Sequence, residues 1–151
     1  MTEVLAERPE DTFALGRAIG RAAHAGTVVA LIGDLGAGKT VFAKGVGEGL
    51  NVATRVTSPT FILVATHDTG RLPYWHADLY RLGDASELEH LGLEDMLEGG
   101  GVAVIEWADR FADLLPDDRL EVHLGDAQMG RLIRLVATGP LHAHLEAAAH
   151  E

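Results

Sequence analysis

The sequence contains no cysteine. That excludes disulfides and thiolate metal centres, and it fits a chain kept in a reducing compartment, so a cytoplasmic location is expected. No apolar run approaches the roughly 20 residues that a membrane-spanning helix needs, and no membrane association is expected. The first residues, Met1 to Arg8, lack the basic start and apolar stretch of a secretory leader. Lysine is scarce: Lys39 and Lys44 stand alone in a chain of net charge −11. Such a protein lacks the basic footprint of autonomous nucleic-acid binding, which leaves room for docking on a partner that carries RNA. Histidine is plentiful, but His90 and His123 show no ligand spacing and His24 reads as a helix end. His142, His144 and His150 fall in the C-terminal tail and are expected on solvated surface, so no histidine metal site is expected.

With 151 residues, 47% of them hydrophobic and 23% charged, the chain can bury a core as one domain. That domain is expected over residues 1–138, followed by an Ala-, His- and Glu-rich tail over 139–151. There are no internal repeats.

The stretch Gly33-Asp-Leu-Gly-Ala-Gly-Lys-Thr40 fits G-x-x-x-x-G-K-[ST], the phosphate-binding P-loop. Glycines let the loop curl so that consecutive N–H groups face phosphate oxygens, where a Cβ would intrude. Lys39 brings a compact positive charge to the β- and γ-phosphates, and the Thr40 hydroxyl suits Mg²⁺. A helix starting there turns its positive end to the same anion. The context agrees: Thr27–Ile32 reads as a buried strand, and a helix continues to about Leu50. Gly45, Gly47 and Gly49 are expected to weaken that helix towards its end.

Upstream, Glu10–Ala25 reads as a helix with Leu15, Ala18, Ile19 and Ala22 on one face, stopped by Gly26. Downstream, Val56-Thr-Ser-Pro-Thr-Phe61 reads as an extended Ser/Thr-rich segment, either a polar start to a strand or a switch that senses the γ-phosphate. Ile62–Thr66 and Leu72–Leu79 read as an antiparallel hairpin. The period of two puts Tyr74, His76 and Asp78 on one face and Trp75, Ala77 and Leu79 on the other. Asp78 sits at the strand's carboxyl end, where catalytic acids of α/β sheets gather, although a turn or cap role fits it too. Ser86 and Glu89 have capping-box spacing, and a short helix follows through Leu93–Leu97. Val102–Glu106 has the Walker-B pattern, a buried strand that delivers a carboxylate to a Mg²⁺ shell. Trp107 reads as either a core plug or a gate over the site. Leu120–Leu124 and Leu132–Val136 read as a second hairpin.

Together these segments closely resemble the TsaE (YjeE) family of small bacterial ATPases. The resemblance is carried by Gly33–Thr40, Ser58-Pro-Thr-Phe61, His76-Ala-Asp-Leu-Tyr-Arg-Leu82, Leu91-Gly-Leu93 and Ile105-Glu-Trp107, and it spans about residues 8 to 138. It implies a P-loop NTPase fold, three α/β/α layers around a mixed sheet with antiparallel hairpins. It implies Mg²⁺-dependent hydrolysis of ATP to ADP in threonylcarbamoyladenosine formation on tRNA, together with partner subunits TsaB and TsaD. TsaD transfers the group to adenosine 37 of tRNAs reading ANN codons, and the tRNA is met only through the complex. Residue by residue, the resemblance gives Gly33 and Leu35, Gly36, Ala37, Gly38, Lys39 and Thr40 to the phosphates, with Thr40 and Glu106 as Mg²⁺ ligands. Asp78 matches the family's essential acid, Thr60 its switch threonine and Trp107 the aromatic beside the metal. The adenine is expected between the stretch Pro9 to Thr12 and the loop at Gly130. Ala108 departs from the family, where a proline commonly follows Glu-Trp; the change touches the loop after Trp107 more than the metal site.

Two other readings share the P-loop. A small-molecule kinase needs a lid of arginines and an acceptor pocket, yet the arginines here are scattered. A non-enzymatic, GTPase-like switch needs Asn-Lys-x-Asp, which the sequence lacks.

Overall fold

The computed structural model describes residues 1–34, 36–53, 64–79 and 92–150. Leu35, the switch-like segment with Thr60, the stretch Tyr80-Arg-Leu82 and the capping box at Ser86 lie outside the described residues. The elements are β1 (Thr2–Ala6), α1 (Pro9–Ala22), β2 (Thr27–Gly33), α2 (Lys39–Gly49), β3 (Val64–His67) and β4 (Tyr74–Asp78). They continue with α3 (Leu93–Glu98), β5 (Val102–Glu106), a 3₁₀ segment (Ala108–Leu114), β6 (Leu120–Asp126), β7 (Arg131–Ala137) and α4 (Ala143–Ala148). The sheet has seven strands among the described residues, in the order β1-β7-β6-β2-β5-β4-β3. β2 runs parallel to β5 and β6, and β4 parallel to β5, while β3–β4, β6–β7 and β1–β7 are antiparallel. This is the expected mixed sheet.

Alternation along the strands builds two cores. Val29, Leu31, Tyr74, Val122 and Leu135 face Leu15 and Ile19 of α1, Phe42 and Val46 of α2, and Leu145 of α4. Val28, Ala30, Ala77, Leu79 and Ile105 face the other way, against Met96 of α3 and Ala108 and Leu115 around the 3₁₀ segment. The sheet therefore lies between two layers, and the expected split of Tyr74 from Ala77 and Leu79 holds. Strand β1 was not anticipated. Its short in–out pattern is weak until β7 pairs with it, Val4 opposite Ile133. Among the described residues no helix is long and apolar enough to cross a membrane.

The glycines of α2 do something other than weaken its end. A Cβ on Gly45 would run into the carbonyl oxygen of Phe13, and one on Gly49 into that of Arg17. From α1, a Cβ on Gly16 would meet the Phe42 carbonyl. Small residues on both helices bring the backbones into direct contact, and that fixes the height of α2 over the sheet. Helix α1 stops at Ala22, short of the expected Ala25, because Ala23 is already extended. The Arg71 guanidinium takes the carbonyls of Gly20 and Ala23 at 2.8 and 2.9 Å, closing that end.

The tail histidines are not all on solvated surface. His142 is fully buried. Strand β6 joins β2 only from Val29 onward, so the Val28 amide needs another acceptor. It donates to His142 Nε2 at 2.9 Å, while His142 Nδ1 donates to Asp118 Oδ1 at 2.7 Å. An accepting Nε2 requires a neutral ring. Burial holds the His142 pKa below the ordinary 6.5, against the pull of Asp118 and with a small push from His144. Composition hides this role, because the partner lies across the fold.

Two predictions follow from packing and from charge. Gly45→Ala gains helix propensity of about 0.8–1 kcal/mol but overpacks a backbone contact at a cost of about 1–3 kcal/mol, so a net loss near 1 kcal/mol is expected in urea denaturation. A stabilised variant would mean that the helices part freely. For His142 the folded ring is neutral and the unfolded one titrates near 6.5. Its contribution is therefore complete above that pH and is lost as pH falls below it towards the folded pKa. Stability should drop as pH falls below 6.5, and His142→Gln should flatten that slope. His67, whose pKa burial and then His76 also lower, contributes a slope of the same sign.

Candidate functional site

Strands β2, β4, β5 and β6 are parallel, so their carboxyl ends share one edge, where α/β sheets place their ligands. From β2 the chain leaves through Gly33 and Asp34 and turns into α2. Gly38 caps the helix at φ 103°, and Gly36 lies at φ 81°, both in the left-handed region that glycine occupies without strain. A Cβ on Gly33 would approach the Leu124 carbonyl oxygen to 2.7 Å, so β6 also presses on the loop. The first amides of α2 have no acceptor within the helix, which makes a helix start of this kind suited to an anion.

Lys39 is only 5% exposed. Its Nζ donates to the carbonyls of Gly33 and Asp34, both at 2.7 Å, and lies 3.9 Å from the centre of the Trp107 ring. Burial lowers its pKa, while Glu106, Asp78, Asp34 and Asp109 pull it back up. Trp107 is half-buried, with φ at 61°. It covers the ammonium with its ring and also packs against the second core beside Ile105 and Ala108, and a non-glycine residue in that conformation stores about 1–3 kcal/mol of strain.

Glu106 is 3% exposed at the end of β5. The Thr40 hydroxyl donates to its Oε1 and Oε2 at 3.1 and 3.2 Å, and His76 Nε2 lies 2.5 Å from Oε2. Asp78 stands in register with Glu106 on the neighbouring strand, so the two side chains share a face. Tyr74, two pleats back on that face, donates its hydroxyl to the Ala43 carbonyl at 2.7 Å. Its own pKa is raised well above 10 by burial and then by Glu106.

A cleft of about 300 Å³ opens beside the loop, lined by Pro9, Thr12, Gly36, Ala37, Gly38, Val41, Gly130 and Arg131 among others. Gly130 takes φ 86°, and a Cβ there would strike the Ala6 carbonyl, so the β6–β7 turn lies directly on the end of β1. The fold thus gathers Gly33, Gly36, Ala37, Gly38, Lys39, Thr40, Asp78, Glu106 and Trp107 around one loop, with Thr12 and Gly130 in the adjoining cleft. Leu35 and Thr60 lie outside the described residues.

Two residues at the site were given no role from the sequence. His76 shares the strand face with Asp78, and that spacing was the available signal. Arg131 bonds Asp126 Oδ1 at 2.9 Å and the Gly36 carbonyl at 3.2 Å; nothing sets it apart from other arginines until the hairpin folds back.

The donor set suits a hard divalent cation. A threonine hydroxyl and a carboxylate stand side by side, as Mg²⁺ prefers when phosphates and water complete its shell. Among the described residues no group of three or more His, Cys, Asp or Glu could hold an ion by itself.

Comparison with known proteins gives one consistent result. The family model described as "Threonylcarbamoyl adenosine biosynthesis protein TsaE" matches residues 6–133. A Bacillus subtilis protein named tRNA threonylcarbamoyladenosine biosynthesis protein TsaE is 44% identical over 76% of this chain and 71% of its own length. A Treponema pallidum protein of the same name is 42% identical over 76% and 84% respectively. The crystal structure of YdiB from B. subtilis superposes with a TM-score of 0.84 and 33% identity, covering 98% of this chain and 93% of that one.

Lys39→Ala removes the buried cation from the loop. Nucleotide affinity measured by calorimetry should fall tenfold or more, about 1.5–3 kcal/mol for a charged hydrogen bond. Wild-type affinity in this variant would put the phosphates elsewhere.

Proposed function

The chain belongs to the TsaE family, and from that premise we propose that it is an ATPase acting in threonylcarbamoyladenosine formation on tRNA. The observation that carries this reading is the convergence of Lys39, Thr40 and Glu106 at the glycine loop, with Asp78 in register beside them. Backbone amides from Leu35 to Thr40 cradle the phosphates, and the helix end adds its positive pole. Lys39 exchanges its two loop carbonyls for β- and γ-phosphate oxygens. Thr40 and Glu106 would hold Mg²⁺, which when bound neutralises charge developing on the phosphates. Asp78 orients the attacking water at the γ-phosphate. Trp107, lying over Lys39, keeps bulk water from the ammonium and strengthens its field. Thr60 senses the γ-phosphate, and the adenine lies between Thr12 and Gly130.

A compact ATPase of this kind spends hydrolysis on another protein. TsaB and TsaD are the proposed partners in the cytoplasm, and TsaD performs the transfer to adenosine 37. The net charge of −11 disfavours free tRNA and suits a basic groove on a partner.

Turnover should require Mg²⁺, stay slow for the protein alone and rise with TsaB–TsaD. Glu106→Gln and Asp78→Asn should each cut kcat by about a hundredfold or more, the scale of a lost electrostatic contact at a reacting centre. Asp78→Asn should keep its affinity for ADP. Metal-independent turnover, or hydrolysis and complex formation indifferent to partners and nucleotide, would refute the reading.

A further inference from the structure

We infer that His76 is a positioning residue for Glu106, holding the carboxylate in the one orientation that lets Thr40 and a cation share it. The inference rests on the reading of Glu106 as a cation ligand.

A carboxylate that serves as a cation ligand has no hydrogen to give, so on that reading the hydrogen in the 2.5 Å contact belongs to His76 Nε2 and is donated to Glu106 Oε2. The same carboxylate also receives the Thr40 hydroxyl. Glutamate's terminal torsion is broad, so one donor alone leaves the carboxylate free to turn. Two donors, one from β4 and one from α2, restrict that rotation. Three elements meet in this contact: β4 through His76, β5 through Glu106 and α2 through Thr40.

The ring is itself held. It lies parallel to the Tyr74 ring, with an interplanar angle of 2° and centres 6.4 Å apart. Tyr74 in turn ties β4 to α2 through the Ala43 carbonyl. His76 has no exposed surface, and its Nδ1 finds no hydrogen-bond partner among the described residues. Buried polar atoms are nearly always satisfied. If the ring served only to fill space, an apolar side chain would do so without stranding a nitrogen. What the histidine adds is the bond to Glu106. Partners of this kind, one step removed from a metal, typically set its affinity by tenfold to a hundredfold.

The test compares two amides. Glutamine can put an N–H close to the position of Nε2, whereas asparagine is too short. ADP binding is measured by calorimetry across a Mg²⁺ series and in EDTA. His76→Asn should raise the Mg²⁺ needed for half-maximal effect about tenfold or more, with EDTA affinity within about twofold, and His76→Gln should return to within about threefold of wild type. An unchanged Mg²⁺ requirement in His76→Asn, or a glutamine variant no better than asparagine, would overturn the inference. Failure of the underlying reading looks different: wild-type binding would ignore Mg²⁺, or Glu106→Gln would leave the requirement unmoved. Long-range ¹H–¹⁵N NMR of the wild type decides the matter even if His76→Asn does not fold. The inference expects the ring hydrogen on Nε2, with a resonance that moves when Mg²⁺–ADP is added. A bare Nε2, or a signal blind to Mg²⁺–ADP, would overturn it.

Discussion

Helix α2 carries Lys39 and Thr40 in its first turn, and backbone contact with α1 sets where that turn lies. Gly16 and Gly20 of one helix and Gly45 and Gly49 of the other leave no room for a Cβ between them. From that seat the Thr40 hydroxyl reaches Glu106 and the Lys39 ammonium reaches back to Gly33 and Asp34. An ångström of drift would break hydrogen bonds of about 3 Å, whose strength falls steeply with distance and angle. The tight helix pair and the phosphate loop are one mechanical unit.

The same site concentrates charge where water is scarce. Lys39 and Glu106 are both nearly buried, and each is tolerated because polar partners surround it. Lys39 is solvated by two carbonyls and the face of Trp107; Glu106 is solvated by Thr40 and His76. On the proposed reading, an arriving phosphate would exchange bonds that already exist and would not strand a bare ion. Exchange of this sort has a small net cost, so binding energy remains for ordering the site.

Away from the site, the C-terminal segment closes the opposite end of the sheet. Leu145 and Ala148 of α4 enter the core shared with α1, and His142 supplies the acceptor that Val28 lacks. The central strand that leads to the loop is thus finished at its start by a residue near the end of the chain. Asp118 accepts from both Leu141 and His142. Against a burial penalty, these bonds hold its carboxyl below the usual range, which anchors the segment electrostatically.

What the amino-acid sequence determined by itself is whatever depends on neighbours along the chain. The Gly33–Thr40 loop was legible because its glycines, its lysine and its helix start lie within eight consecutive positions and need no distant partner to have meaning. The buried strand before Glu106 and the alternation of Tyr74, His76 and Asp78 were legible for the same reason. Tertiary structure alone decided the rest. Gly45 and Gly49 read as weak points in a helix until α1 lay against them. His142 read as surface until Val28, 114 positions away, offered its amide. Arg131 was one arginine among several until Gly36, 95 positions distant, came within reach. A hydrogen bond or a close packing contact is a property of two partners, and a linear pattern reveals it only when both lie within the same few turns of chain.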